Sequence, residues 1–293
     1  VLGAVRIIPV PKEFLVSPVS GQLKYFSEPP PSVLQTEKPP WLPYTATYSI
    51  NADTLNERFE YSVQKSPGVF RIVTLGDSFT FGQNVQTKDN WTELLEDTLK
   101  LTCGKSQYVE IINLGERGYD VAYAAHRLEI RGMKYDPDLI IYFESGTGFD
   151  RIRELYDPLV ARYLQSQREG HETEGISDEV FNRAWRMATE ELQRTYTHEQ
   201  LSEIVHGAWT RLFSVRRNTP VMIVAFRDLP PLNLAKLYAW TMNQPYLTVF
   251  PGVRALDDHE GRLYDGHPSI HGHVIMADDI YHNMVDHQLI PCV

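Results

Sequence analysis

Residues 70–78 read FRIVTLGDS and decide the fold of this chain. The first six are mostly apolar or β-branched and stop at a glycine, which is the pattern of a buried strand that runs into a turn. Residues 90–101 follow with apolar side chains at helical spacing, among them Trp91, Leu95 and Leu99. The sequence therefore predicts a strand, a turn and a helix, the first unit of a parallel α/β sheet.

Further apolar runs repeat this pattern towards the C-terminus. Strands are predicted over 108–114, 138–143 and 220–226, and helices over 121–133 and 271–287. Strands that are apolar along their whole length are covered on both faces. The spacing therefore predicts a three-layer α/β sandwich with a mainly parallel, flavodoxin-like sheet of about five strands.

Two segments do not fit the alternation. Residues 1–68 are rich in proline, which removes backbone donors, so we expect an extended arm or a small β layer with an edge strand near 44–50. A linker to a further N-terminal part is the alternative. Residues 150–218 are rich in Arg, Glu and Gln, and we expect two or three inserted helices near the site. The main domain is predicted over 69–293.

The composition is that of an ordinary globular protein. Hydrophobic residues make up 42% and charged residues 23% of the 293, which excludes a disordered chain, a collagen-like chain and a coiled coil. The 38 acidic residues outnumber the 28 basic ones and give a formal net charge of -10. Nucleic-acid binding requires a basic surface, so we expect no nucleic-acid partner.

The sequence also bears on cellular location. No uninterrupted apolar run reaches the roughly 18 residues of a membrane-spanning helix. The chain begins with Val1 rather than Met, so we expect an upstream segment, and a lost signal peptide or anchor would favour an extracytoplasmic or membrane-anchored location. Cys103 and Cys292 are too few for a disulfide scaffold or a cysteine zinc site, although one bridge between them is conceivable.

The residues after the strands are the ones to inspect, because ligands of open parallel sheets bind beyond the carboxyl ends of the strands. Polar, glycine-rich runs stand there at 76–82, 113–118 and 144–148, and another, DGHPS, occupies 265–269 before the last helix. We expect these four loops to form one site.

A serine, a histidine and an aspartate within these loops predict nucleophilic chemistry. A serine hydroxyl is a weak nucleophile at neutral pH and needs an adjacent base, so Ser78 is the candidate nucleophile and His267 the candidate base. Asp265 could orient the imidazole. A helix-capping role is the alternative for Ser78.

Two other groups of histidines are candidates, one for the base and one for a metal site. His259 with Asp257 or Asp258 is a second candidate for the base and its partner. His267, His271 and His273 lie close together along the chain, which is compatible with a set of metal ligands. Zinc needs three or four convergent ligands, and no matching pair of an acidic residue and a histidine occurs elsewhere in the sequence, so we expect no metal.

Three blocks of the sequence resemble one family. Residues 72–78 resemble the first block of the SGNH (GDSL) hydrolases, a superfamily of serine esterases and acyltransferases. Gly118 lies in a run that resembles the second block, and Asp265 with His267 resembles the last. The likeness covers roughly 69–288.

The resemblance implies ester hydrolysis through an acyl-enzyme on Ser78, without a cofactor. It also implies that the backbone N–H groups of Ser78 and Gly118 and an asparagine side chain hold the oxyanion. This sequence departs from the family at the asparagine, where Thr147 stands, or Gly148 in another alignment. Thr147 is the candidate third donor.

The expected substrate is a small acyl or O-acetyl ester, of which carbohydrate esters are one class. Acyl transfer at the same site is one alternative. The altered third block makes a non-catalytic binding module that kept the fold another alternative, and an assembly role through the proline-rich arm is a further one. The sequence indicates no oligomeric state.

Overall fold

A computed structural model of the chain describes most of the main domain. It covers residues 33–104, 108–146, 149, 152–168, 178–245, 247–257 and 259–290. The first half of the predicted arm lies outside these ranges, so the arm and its boundary at residue 68 stay a prediction.

The described residues form two sheets. A two-stranded antiparallel sheet pairs β1 (Val33–Glu37) with β2 (Ala46–Ile50). The main sheet is parallel throughout and has the order β4-β3-β5-β6-β7. Its strands are β3 (Val69–Leu75), β4 (Tyr108–Asn113), β5 (Leu139–Glu144), β6 (Val221–Phe226) and β7 (Leu247–Val253). Counted within this sheet the order is 2-1-3-4-5, so the predicted flavodoxin-like fold class is confirmed.

Helices cover both faces of the main sheet and make it the middle layer of three. Those on one face are α2 (Trp91–Cys103) and α8 (Ile270–Asp286). Those on the other are α3 (Val121–Arg127), α6 (His198–Val215) and α7 (Pro231–Thr241). The one-turn helix α1 (Ser78–Phe81) follows β3, and α4 (Arg153–Arg168) and α5 (Asp178–Thr195) form a separate pair. Within the described ranges, no helix combines the length and the apolar composition that crossing a bilayer requires.

The edge strand β7 is the strand that the apolar runs do not predict. It carries Pro251 and Gly252, which read as strand breakers in a sequence. Among the described residues β7 pairs with β6, and their register is irregular between Val224 and Phe226, opposite the stretch that carries Pro251 and Gly252. Proline is tolerated in edge strands and at such irregularities.

The described residues of 150–218 form three helices, α4, α5 and α6, with different packing partners. Trp209 of α6 packs on Tyr142 of β5 with ring centroids 5.0 Å apart, so α6 covers the sheet between β5 and β6. The helices α4 and α5 pack on each other instead, with Tyr156 stacked on Trp185 at 4.9 Å. The described residues of α6 thus belong to the core of the main sheet and those of α4 and α5 to a separate cluster, and the extent of the insertion stays a prediction.

The small sheet packs against the start of the main domain. Tyr48 of β2 contacts Phe81 of α1 with ring centroids 5.2 Å apart, and the Tyr48 hydroxyl accepts the backbone N–H of Asn84 at 2.9 Å. The β1–β2 hairpin therefore lies beside the loop that leaves α1.

Cys103, the last residue of α2, is buried and disulfide-bonded. The other cysteine of the sequence, Cys292, lies outside the described ranges.

Candidate active site

The turn from β3 into α1 presents Ser78. Gly76 adopts φ +152°, and a Cβ there would lie 2.2 Å from Thr80 Oγ1, so the tight turn requires glycine. The Asp77 carboxylate accepts the backbone N–H of Phe79 at 3.0 Å and caps α1. This capping role falls on Asp77 rather than on Ser78, the first residue of the helix.

Ser78, His267 and Asp265, which we call the candidate triad, lie in hydrogen-bond contact. His267 Nε2 is 2.9 Å from Ser78 Oγ, and His267 Nδ1 is 2.8 Å from Asp265 Oδ2. The backbone N–H of His267 also donates to Asp265 Oδ1 at 3.2 Å. In the tautomer with Nδ1–H facing Asp265, the Ser78 hydroxyl donates to Nε2, the arrangement that general-base activation requires.

Asn84 is a fourth member of this network that the sequence analysis missed. Its Nδ2 donates to Asp265 Oδ2 at 2.8 Å. Burial alone would raise the pKa of the Asp265 carboxyl, but the hydrogen bonds and charge of His267 together with the Asn84 hydrogen bond outweigh it and hold this pKa below its ordinary value. Asp265 is therefore ionised at neutral pH. Asn84 stands six residues after Ser78 in a loop without any recognisable spacing, so no sequence signal marks it.

Aromatic packing fixes the imidazole. The Phe79 ring lies 5.4 Å from the His267 ring, and Phe79 in turn packs on Phe226 of β6 at 6.0 Å. The His267 side chain is only 12% exposed, so its rotation away from Ser78 would break this packing.

Two further loops meet the nucleophile turn. The backbone N–H of Glu116 donates to the Gly76 carbonyl at 3.2 Å, which brings the loop that carries Gly118 to this turn. The Ser145 hydroxyl donates to Asp77 Oδ2 at 2.5 Å, which does the same for the loop after β5. The predicted convergence of the loops at one sheet edge is thus present.

A buried ion pair supports the Gly118 loop. Arg153 Nη1 donates to the Gly118 carbonyl at 3.2 Å, and Arg153 pairs with Asp157 at 2.8 Å, both side chains being fully buried. Thr147 and Gly148, the alternatives for the third oxyanion donor, lie outside the described ranges.

Asp257, one alternative partner for the base, has another role. Asp257 Oδ1 accepts the backbone N–H of His259 at 2.9 Å and those of the next two residues, so Asp257 stabilises a turn. Asp258 lies outside the described ranges. The histidine in contact with Ser78 is His267.

The histidines near residue 270 do not form a ligand group within the described ranges. His273 is fully buried, and its Nδ1 accepts the backbone N–H of Trp91 at 3.1 Å, at the start of α2. Burial, and next the nearby charge of His267, lower the pKa of His273 to about 3, so its ring is neutral. Among the described residues, close metal-type ligand atoms occur instead on Glu57, Glu93 and Glu96.

No protein-family model matches this sequence, and no curated protein matches it. Solved structures of similar fold include the psychrotrophic esterase EstA from Pseudoalteromonas sp., at 12% identity and TM-score 0.46 over 75% of this chain and 99% of that one. A member of the lipolytic G-D-S-L family from Veillonella parvula matches at 16% identity and TM-score 0.41, over 74% and 98%. A family 3 carbohydrate esterase from Clostridium thermocellum matches at 11% and 0.43, over 74% and 96%. In its sequence blocks, its strand order and the grouping of the candidate triad, this chain resembles the SGNH (GDSL) hydrolases.

Proposed function

We propose that this protein is a serine ester hydrolase that works through an acyl-enzyme on Ser78. One observation carries the proposal, the chain of contacts from Ser78 Oγ through His267 to Asp265. A serine, an imidazole and an ionised carboxylate in this order are the parts that acyl transfer needs.

In the acylation step, Ser78 Oγ attacks the ester carbonyl while His267 Nε2 takes the hydroxyl proton. The positive charge on the imidazole is stabilised by Asp265, which stays ionised. The tetrahedral intermediate then collapses, the bond to the alcohol oxygen breaks, and His267 returns the proton to the departing alcohol.

Backbone donors would stabilise the intermediate. We assign the oxyanion to the N–H groups of Ser78 and Gly118, with Thr147 or the Gly148 backbone as third donor. In the second step His267 removes a proton from water, which attacks the acyl carbonyl and restores Ser78. A sugar hydroxyl in place of water would make the product a new ester, so acyl transfer differs only in the acceptor.

A serine-directed phosphonate probe tests the proposal and separates it from a binding module without activity. We expect the probe to label the protein at Ser78 and not to label Ser78→Ala. The variant should lose about 10⁶-fold in kcat on nitrophenyl esters of increasing acyl length. Ser166→Ala, in which an exposed serine of α4 is changed, serves as control and should keep both properties. Labelling that persists in Ser78→Ala would contradict the assignment.

A further inference from the structure

Among the described residues, the Asp265 carboxylate is held from outside its own loop by Asn84. Two of its hydrogen bonds come from His267, two positions further on, through the backbone N–H and through Nδ1. The third comes from Asn84 Nδ2 at 2.8 Å, across 181 positions of sequence. The Asp265 side chain is 26% exposed, so burial alone does not immobilise it. Asn84 is therefore the contact that joins this carboxylate to the start of the main domain.

Asn84 is buried and has a left-handed backbone conformation. It is 1% exposed and adopts φ +70°. Asparagine enters this region more readily than most residues do, but the conformation persists only where the surroundings hold it. The peptide planes on both sides of the Asn84 Cα set the direction of its Cα–Cβ bond. The reach of its side chain towards Asp265 therefore depends on the orientation of those two planes.

Two tyrosines of the small sheet and its preceding loop hold these peptide planes. The Tyr48 hydroxyl, on β2, accepts the Asn84 N–H at 2.9 Å. The Tyr44 hydroxyl, two residues before β2, donates to the Asn84 carbonyl at 2.9 Å. Among the described residues, neither of these Asn84 groups has a backbone partner. The two hydroxyls thus take the place of the backbone hydrogen bonds that a buried residue requires.

Further hydrogen bonds fasten the loop after α1 to the same hairpin. The Gln86 side chain accepts the backbone N–H of Thr47 at 3.1 Å and donates to the Thr45 carbonyl at 2.7 Å. The backbone N–H of Ser49 donates to Thr87 Oγ1 at 2.7 Å. Each bond joins the backbone of the hairpin to a side chain of the loop. The position of the loop that carries Asn84 therefore depends on the hairpin.

We propose that Asn84 is a positioning residue for the triad carboxylate, and that the β1–β2 hairpin, through Tyr44 and Tyr48, holds Asn84 in place. The described part of the predicted arm then supports the active site directly. This inference rests on the proposed function, because Asp265 affects the rate only if His267 is the base. A displacement of about 1 Å costs a reaction about 10²-fold in rate, so a hydrogen bond that fixes the carboxylate is expected to affect kcat.

The first test asks whether Asn84 acts through Asp265. Asn84→Ala should lower kcat on nitrophenyl acetate about tenfold and leave KM within about twofold, because the change misplaces the base and removes no group that we assign to substrate binding. In the Asp265→Ala background, measured at high enzyme concentration, the same change should alter kcat by less than about twofold. A mere loss of folded protein would lower the rate by the same factor in both backgrounds.

The second test follows the effect back to the hairpin. Tyr44→Phe and Tyr48→Phe each remove one hydroxyl and keep the ring, and each should lower kcat about fourfold. In the Asn84→Ala background neither change should lower kcat further, since the side chain that the hydroxyls position is gone. Tyr163→Phe is the matched control. Its hydroxyl donates to Glu191 at 2.5 Å in the α4–α5 pair, and its loss should leave kcat unchanged.

Proton NMR gives a third measurement, which does not depend on turnover. The Nδ1–H proton between His267 and Asp265 is identified by its absence in His267→Gln. In Asn84→Ala this resonance should shift and broaden, because the carboxylate is no longer fixed, and in Tyr163→Phe it should stay unchanged. Circular dichroism and urea unfolding check that each variant is folded under the assay conditions.

The outcomes separate this inference from the proposed function. If Ser78→Ala is inactive while Asn84→Ala keeps kcat within about twofold, or lowers it equally in both backgrounds, the inference is wrong and the proposed function stands. If Asn84→Ala behaves as expected but neither tyrosine variant lowers kcat, the role of the hairpin is wrong. If Ser78→Ala keeps its activity, the proposed function fails, and an Nδ1–H resonance that Asn84→Ala leaves unchanged then overturns the inference as well.

Discussion

Replacing Glu96 by glutamine tests how burial affects the pKa of a carboxyl group in the cluster formed by Glu57, Glu93 and Glu96. Glu96 accepts a hydrogen bond from Tyr61 at 2.8 Å and pairs with Lys100 at 2.8 Å, and it lies beside Glu57 and Glu93. Burial raises the pKa of Glu96 from 4.5 to about 7, although Lys100 and Tyr61 act in the opposite direction. The folded protein therefore holds this proton more tightly than the unfolded chain does.

The sign and size of the effect follow from proton linkage. Stability contributed by this proton is fully present below about pH 4.5 and is lost as the pH rises to about 7. Each pH unit between the two pKa values corresponds to about 1.4 kcal/mol, so the total is about 3 kcal/mol. Glu96→Gln carries no charge at any pH, so the free energy of unfolding of the variant, relative to the natural protein, should rise by about 3 kcal/mol between about pH 4.5 and about pH 8.

Urea unfolding followed by tryptophan fluorescence measures this difference at each pH, and equal slopes against urea concentration would show that the compared states are the same. Glu190→Gln, the same change at an exposed position of α5, is the control. A Glu96→Gln difference that stays constant within about 0.5 kcal/mol across this range would refute the reasoning.

Three further predictions concern the site and its supports. His267→Ala should lower kcat on nitrophenyl acetate nearly as much as Ser78→Ala does, by about 10⁶-fold. Asp265→Ala should lower kcat less, by about 10⁴-fold. Steady-state kinetics measures both effects. His273→Gln keeps an acceptor for the first turn of α2 but cannot be protonated, so thermal unfolding should show its advantage growing as the pH falls from about 6.5 towards 3. Arg153→Met leaves buried carboxylates unpaired and should cost about 3–5 kcal/mol of stability in urea; a loss below about 1 kcal/mol would contradict this.

The sequence predicts the fold wherever a strand is apolar along its length. It fails at β7, because Pro251 and Gly252 carry the signals of a turn. The irregular register with β6 accommodates the proline, and the approach of Asn283 leaves no room for a side chain at Gly252. The burial of Trp209 of α6 against β5 also has no signal in the charged sequence around it, because it depends on the sheet.

The site, like the fold, contains residues that the sequence predicts and residues that it does not. Ser78, Asp265 and His267 stand in loops that the strand pattern places at one edge, so their contact is foreseeable from sequence. Asn84 reaches Asp265 through long-range packing that no local spacing encodes.

The hydrogen bonds between the small sheet and the loop after α1 have a consequence for local unfolding. The Tyr44 hydroxyl donates to the Asn84 carbonyl at 2.9 Å, the Tyr48 hydroxyl accepts the Asn84 N–H, and the backbone N–H of Ser49 donates to Thr87 Oγ1 at 2.7 Å. Strand β2 cannot separate from the main domain without breaking its hydrogen bond to the backbone of Asn84, the residue whose side chain donates to Asp265. Protected amides of β2 and of residues 84–87 should therefore exchange with solvent deuterium as one cooperative unit.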